Sequence, residues 1–406
     1  MRILLLTHRL PYAPNRGDRL RAWHLLRHLA GEHEITLVSL VHDREEASHV
    51  GELASLAHET ITAHVPYLGN RVRAGFALAT DRPLTHVLLD SPALLPVLQR
   101  IVEERPPDVV LAYCSSMARF AVDRPLDSIP LVIDMVDADS AKWADLARIA
   151  RRPLRWIYRR EARLLGRFEA AAMRRARVTL VVNDREREAL AASAPGANVV
   201  VLPNGVDLAR FAPPKGTADA LHGSSPGIVF CGVMNYPPNE AGAVWLAREV
   251  WPLVRQSEPA ATLWLVGAQP TRTVKTLCAT GLGIEVTGAV DDVRPYLWNA
   301  AVSAAPLHTA RGVQNKVLEA IAAGLPAVVT QVVWDGLPRQ AHPACRVAQT
   351  PGEFADAILT LVRMTPTERR ALANSAGLPS LGWETTLAPL KALLQEAGRC
   401  NIPPRC

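Results

Sequence analysis

Short apolar runs of strand length recur along this chain with helical patterns between them, and that serial alternation restricts the fold more than any other feature. The first two runs are RILLLT, Arg2 to Thr7, and EITLVSL, Glu34 to Leu40, with a helical pattern at Arg19 to Ala30 between them. Strand, helix, strand at this spacing predicts a βαβ unit in a parallel sheet. Further runs at 108–113, 130–136, 178–183 and 198–207 continue the series. A segment rich in Gly, Pro, Ser and Lys follows at 210–227, and reads as a linker. A second series then passes through 228–233, 261–267, 284–290, 301–307 and 326–330. The expected fold class is therefore α/β, with two Rossmann-like parallel-sheet domains in series. Ligands of such sheets sit beyond the strand carboxyl ends, so a central cleft faced by both domains is the expected place for a site.

Composition narrows the reading. With 406 residues, 49% hydrophobic and 21% charged, the chain suits two globular domains and not a disordered segment. The apolar run Ile3 to Leu6 is too short for a signal peptide and ends at His8 and Arg9. No stretch offers the roughly eighteen unbroken apolar residues of a membrane helix. Six cysteines, at 114, 231, 278, 345, 400 and 406, form no C-x-x-C pair, as expected of reduced thiols in a cytoplasmic protein; Cys400 and Cys406 pairing in a tail is the alternative. A formal charge of +6 and a pI near 9.2 admit an anionic ligand, nucleic acid or an acidic membrane surface. Nucleic acid rests on that balance alone and is not the expected partner.

The common nucleotide fingerprints are missing: HRLPYAPNRGD, not G-x-G-x-x-G, follows the first strand, and no G-x-x-x-x-G-K-[ST] occurs. A dinucleotide dehydrogenase and a P-loop enzyme are thereby disfavoured. The twelve histidines form no H-E-x-x-H. DMVDAD, with Asp134, Asp137 and Asp139, is the nearest approach to a metal site, and reads better as a strand end with helix-capping carboxylates. No metal and no cofactor are expected.

Taken in order, THRLPYAPNRGD, VLPNGVD, IVFCGV, VTGAVDDVRPYL, VSAAPL and NKVLEAIAAGLPAVVT resemble a family 4 glycosyltransferase of the GT-B type. IDMVDADSAKW, GVMNYPPNEAGAVW and RGVQNKVLEA are similar to the bacterial subgroup associated with exosortase and exopolysaccharide gene clusters. The resemblance implies metal-independent, retaining transfer from a nucleotide diphosphate-sugar to a saccharide or lipid-linked saccharide acceptor. It also implies domain limits: an acceptor-side domain at 1–209, the linker at 210–227, a nucleotide-sugar domain at 228–380, and a last helix and tail at 381–406 that crosses back to the first domain. A nucleotide-sugar epimerase on the same fold and a degenerate scaffold that binds without turnover are the rival readings.

Several residues can be read for chemistry directly. Asn315 is a candidate N-cap for the helix beginning near Lys316, and unpaired amides at a helix start favour an anion such as a diphosphate. Lys316 and Arg311 add positive charge where charge on the departing phosphate grows. Glu319, one turn further, either complements the helix dipole or accepts two hydroxyls; the resemblance implies the nucleotide ribose. Gly17 stands where the first strand meets the first helix, where a backbone can approach a phosphate or sugar closely. His8, Arg9, Tyr12, Arg16 and Arg19 are candidates in the same region for acceptor or donor sugar. The resemblance further suggests Gly232 for the donor, and the main chain at Gly288, Ala289 and Val290 beside the base.

Two departures from the family pattern stand out. The family motif carries a second glutamate eight positions before Glu319, where this chain has Arg311. Arginine there suits an acidic sugar or the phosphates themselves. The Arg and Lys that many members place after the strand IVFCGV are also absent, replaced by MNYPPNEAGA with Asn235, Tyr236 and Asn239; Asn239 reads as the N-cap of the following helix, as Asp18 and the pair Asp291–Asp292 do for theirs. Lastly, 151–177 holds ten arginines against two glutamates, with Trp156, Tyr158 and Phe168 among them. It reads equally as a helix on an anionic membrane surface and as a solvated helix packed on its own sheet.

Overall fold

The computed structural model describes residues 1–13, 17–214 and 226–399. It divides into two compact units, one of Met1–Pro203 with the chain from Leu387 onward, the other of Asn204–Thr386.

In the first unit the described strands are β1 (Arg2–Thr7), β2 (Glu34–Val41), β3 (Glu59–His64), β4 (Val109–Tyr113), β5 (Leu131–Val136), β6 (Val178–Val181) and β7 (Val199–Val201). They pair in parallel in the order β3-β2-β1-β4-β5-β6-β7. The central strands are covered on both faces, so they read as unbroken apolar runs: Ile3 through Leu6 and Val109 through Ala112 are almost fully buried. β3 was not predicted, because ETITAH is an edge strand with mostly half-exposed, polar positions.

The second unit holds β8 (Gly227–Cys231), β9 (Thr262–Val266), β10 (Ile284–Gly288), β11 (Ala300–Ala305), β12 (Ala327–Val329) and β13 (Cys345–Val347). These are parallel in the order β10-β9-β8-β11-β12-β13. Each sheet therefore turns back on its own strand order at one place, β1 beside β4 in the first and β8 beside β11 in the second. In open α/β sheets that reversal opens a crevice at the strand carboxyl ends.

The acidic stretch DMVDAD is built into the first unit as structure. Asp134 is fully buried and its Oδ2 accepts from Arg21 Nε at 2.8 Å, while Oδ1 accepts from the amide of Val136, which has φ +64°. Asp139 accepts from Ser115 Oγ at 2.6 Å and occupies the first turn of helix Asp139–Ile149. No group of three or more His, Cys, Asp or Glu able to hold a metal occurs among the described residues. Cys114, Cys231, Cys278 and Cys345 are free thiols; Cys400 and Cys406 lie outside the described residues.

Candidate active site

Two loops meet at the carboxyl end of β8. The amide of Gly232 donates to Val266 O at 2.9 Å and that of Met234 to Ala268 O at 2.9 Å, which ties the loop after β8 to the loop after β9. The contact is closer than any side chain permits. A Cβ on Gly267 would stand 1.9 Å from Gly232 O, and Gly267 has φ +146°, so glycine is required there on two counts. A Cβ on Gly232 would in turn meet Asn239 Nδ2 at 2.8 Å and Lys316 Nζ at 3.0 Å. An amide and an ammonium thus converge on one bare stretch of backbone.

Lys316 and Glu319 reach this region from helix Asn315–Ala322. Its apolar positions Val317, Leu318, Ala320 and Ile321 are buried, which fixes the helix and turns 316 and 319, three residues apart, to a common side. Lys316 Nζ donates to Asn239 Oδ1 at 2.7 Å and lies 4.7 Å from the centre of the Phe230 ring. Burial pulls its pKa down to about 8, partly offset by Cys231 and Glu319. Burial likewise raises Glu319 to about 7, against the opposing charges of Lys316 and Arg210. Among the described residues no hydrogen bond reaches the Glu319 carboxylate, which leaves its two oxygens as acceptors for a ligand. The neighbouring Cys231 thiol is pushed up to about 12 by burial and by Glu319, so it is no nucleophile at neutral pH.

Two expected caps are not caps. Helix Asn315–Ala322 takes Gln314 as its N-cap, without a side-chain capping bond, because the Asn315 Oδ1 accepts from Asn204 Nδ2 at 3.0 Å instead. Asn239 sits inside the first turn of helix Pro237–Trp245, capped at Tyr236; its Nδ2 donates to Val233 O at 2.9 Å and its Oδ1 holds Lys316. The start of helix Arg294–Asn299 is held by Asp292, whose Oδ1 accepts from the Arg294 amide, although the capping position itself is Val293. The Asp18 side chain lies outside what the structure describes. Sequence reasoning missed Asn204, Gly267 and the true role of Asn239. The first was visible only as part of PNGVD, whose Gly205 packs so closely on Trp383 that a Cβ would lie 2.6 Å from its Cα.

The other donor-side candidates are spread along the carboxyl edge of the same sheet. Gly288 ends β10 with φ +71°, followed by Ala289 and Val290. Arg311 lies in the loop after β11, partly buried; its carbonyl accepts from Gln314 Nε2 at 3.1 Å, and Gly312 beside it has φ +63°.

In the first unit a buried carboxylate, Glu46, holds two of the candidates. Glu46 accepts from the amides of Leu10 and His42 at 3.1 and 2.9 Å, and pairs with Arg9 at 3.5 Å and Arg19 at 3.4 Å. Arg9 and Arg19 are thus anchors of the loop after β1. His8 stacks on Tyr113 with ring centres 5.7 Å apart, where β1 and β4 lie side by side. Tyr12 packs against Trp23 and His49. Gly17 opens helix Gly17–Ala30, and among the described residues a Cβ placed on it would meet no atom within 4 Å, so the described packing does not demand glycine. Arg16 lies outside the described residues.

Two family models match the chain: a glycosyl transferase 4-like domain over residues 16–205 and glycosyl transferases group 1 over residues 225–364. No curated protein matches it by sequence. Among solved structures it is similar to sucrose-phosphate synthase from Thermosynechococcus elongatus, with 17% identity and TM-score 0.75, covering 98% of each chain. It is similar as well to Anabaena HepE in complex with UDP and glucose, with 14% identity and TM-score 0.70 over 98% of this chain and 100% of that one. A UDP-forming trehalose-phosphate synthase from Burkholderia xenovorans, solved with glucose-6-phosphate, matches at 14% identity and TM-score 0.65 over 97% and 100%. The two sheets and the two family models together make the chain a glycosyltransferase of the GT-B fold.

Proposed function

We propose that the chain is a retaining, metal-independent glycosyltransferase that takes a sugar from a nucleotide diphosphate-sugar. Its acceptor is a saccharide, free or lipid-linked, in exopolysaccharide or cell-envelope assembly at the cytoplasmic side of the membrane, as in the exosortase-associated subgroup it resembles. One observation carries the reading: Lys316 Nζ, Asn239 and the bare backbone of Gly232 converge, with the open Glu319 carboxylate one turn away. A half-buried ammonium beside side-chain-free backbone is built for an anion, and a carboxylate with both oxygens open is built for neighbouring hydroxyls. A nucleoside diphosphate presents both. The complexes of HepE with UDP and glucose support this ligand class.

In the proposed reaction the bond from the anomeric carbon to the diphosphate oxygen breaks, and Lys316 stabilises the charge left on the phosphate. The acceptor hydroxyl enters on the face the diphosphate leaves, and passes its proton to a departing phosphate oxygen. No protein nucleophile is needed, which agrees with the inert Cys231. Gly17, His8, Tyr12 and Arg16 are the proposed acceptor-side contacts, with Arg9 and Arg19 holding their loop in shape. Asn315, Gly288, Ala289 and Val290 border the nucleotide, and Arg311 meets the phosphates or an acidic sugar.

Calorimetric titration with UDP, GDP, ADP and their sugars, with and without EDTA, tests the reading. Saturable, EDTA-insensitive binding that falls at least tenfold in Glu319→Ala is expected. Unchanged affinity in that variant would remove Glu319 from the site, and turnover without an acceptor would favour an epimerase.

A further inference from the structure

Helix Tyr67–Ala77 is amphipathic in the wrong sense for a helix facing water. Its buried face consists of Asn70, Ala74 and Ala77, while its large apolar side chains point outward: Leu68 is 77% exposed, Phe76 75%, and Val72 and Tyr67 more than half. Leu68, Val72 and Phe76 follow one another at intervals of four and so form a single stripe. The orientation is locked. Asn70 is fully buried and its Nδ2 donates to Leu88 O at 3.1 Å and Asp90 O at 2.7 Å, so turning the stripe inward would strand a buried amide.

The stripe has a cationic neighbour. Arg160, near the start of helix Leu154–Arg175, donates to the carbonyls of Ala77, Thr80 and Arg82, and Glu161 accepts from the amides of Leu84 and Thr85. These bonds fix the end of helix Tyr67–Ala77 against that arginine-rich helix. Both of its glutamates are spent internally, Glu161 as just described and Glu169 on Ser140, whereas Arg159, Arg163, Arg167 and Arg174 are exposed. Its exposed beginning adds apolar groups, Leu154 and Trp156, with Arg151 and Arg152 just ahead. Helix Tyr67–Ala77 contributes Arg71 and Arg73 and no acid, although Arg73 is paired with Asp90 at 2.7 Å.

We infer that this face of the first unit docks on an anionic lipid bilayer, with Leu68, Val72, Phe76 and Trp156 entering the headgroup layer and the arginines lying on the anionic surface. An outward apolar stripe bordered by an excess of arginine, with Asp90 already paired to Arg73 and Arg119, complements such a surface, and a second copy of the chain would bring like charges together. No helix among the described residues is long and apolar enough to cross a membrane, so docking would be peripheral. Docking at this face rests on the proposed function only for its purpose, a lipid-linked acceptor, and not for its residues.

Sedimentation with vesicles of phosphatidylcholine, and of phosphatidylcholine with phosphatidylglycerol, tests it on the full chain, alongside Leu68→Ser/Phe76→Ser and Arg159→Glu/Arg163→Glu. The native protein is expected to sediment with the anionic vesicles and not the neutral ones. Each double variant should reduce that partition roughly tenfold or more, with unchanged nucleotide titration showing intact folding. Equal behaviour with both vesicle types, no binding, or binding indifferent to both variants would overturn docking at this face. A dimer in solution abolished by Leu68→Ser/Phe76→Ser, without vesicle binding, would assign the stripe to a second copy and overturn it equally. Vesicle binding without any nucleotide binding would leave docking standing and remove the proposed function.

Discussion

Exchanging residues 239 and 316 tests the architecture of the proposed donor site most directly. Lys316 Nζ and Asn239 Nδ2 both lie within 3.0 Å of the same point on Gly232, and 2.7 Å separates the ammonium from the Asn239 oxygen. If the diphosphate lies beside this backbone within reach of Lys316, Lys316→Asn removes one charge-assisted hydrogen bond worth about 1.5–3 kcal/mol. At about 1.4 kcal/mol per factor of ten, donor affinity should fall roughly 10- to 150-fold. Adding Asn239→Lys to that variant returns an ammonium to the same place from the other side and should recover most of the loss. Asn239→Lys alone sets two cations side by side, so it should recover nothing and lower affinity. The assay is calorimetric titration with the preferred nucleotide, with thermal unfolding as a control. Because burial already penalises the ammonium, Lys316→Asn should leave stability equal or higher. An affinity within threefold of native in Lys316→Asn, or a folded double variant no better than the single one, would refute a shared cation point.

Three further outcomes follow from individual groups. Donor binding should peak between about pH 7 and pH 8, since Lys316 loses its proton as pH rises past about 8 and Glu319 loses its charge as pH falls past about 7; a flat profile from pH 6 to 9 would exclude both groups. Gly267→Ala must push the Gly232 carbonyl away and accept a φ of +146°, so it should cost about 1–3 kcal/mol in urea unfolding and weaken donor binding as well. Asp134→Ala leaves Arg21 charged and buried beside an unsupported Val136, and should cost about 3–5 kcal/mol with donor affinity unchanged, because both residues belong to the first unit. A loss below 1 kcal/mol would contradict the buried-pair reading.

Strands buried on both faces were legible because parallel sheets leave their apolar runs unbroken, and eleven of the described strands coincide with the runs read from sequence. The two missed ones are edges: β3, half exposed and polar, and β13, only three residues long. In the candidate site, the nearness of Lys316 and Glu319 was legible because one helix carries both. Asn239 was not, since its partner is 77 residues away and a helix start offers a plausible local use for any asparagine. Asn315 failed for the mirror reason, as Asn204, 111 residues earlier, takes the oxygen that would have capped the helix. The outward stripe of helix Tyr67–Ala77 was invisible because its orientation depends on carbonyls 88 and 90 meeting Asn70.

The placing of Lys316 also bears on Arg311. Eight positions before Glu319, where the family motif carries a second glutamate, this chain has an arginine in the loop after β11, and two proposed uses for it compete. If Lys316 already serves the diphosphate, a second cation there is redundant, and the guanidinium is better matched to a carboxylate on the sugar, which it can bind through two parallel hydrogen bonds. The uses separate experimentally. Arginine on the sugar should make the donor carrying a uronic acid bind more tightly than its neutral hexose counterpart by roughly 10- to 150-fold, at about 1.5–3 kcal/mol for a charge-assisted contact. Arg311→Glu should then reverse that order while leaving the free nucleoside diphosphate almost unaffected. Arginine on the phosphates should instead weaken nucleotide and nucleotide-sugars alike in Arg311→Glu, with no preference among sugars in the native protein. Uniform weakening would return Arg311 to the leaving group.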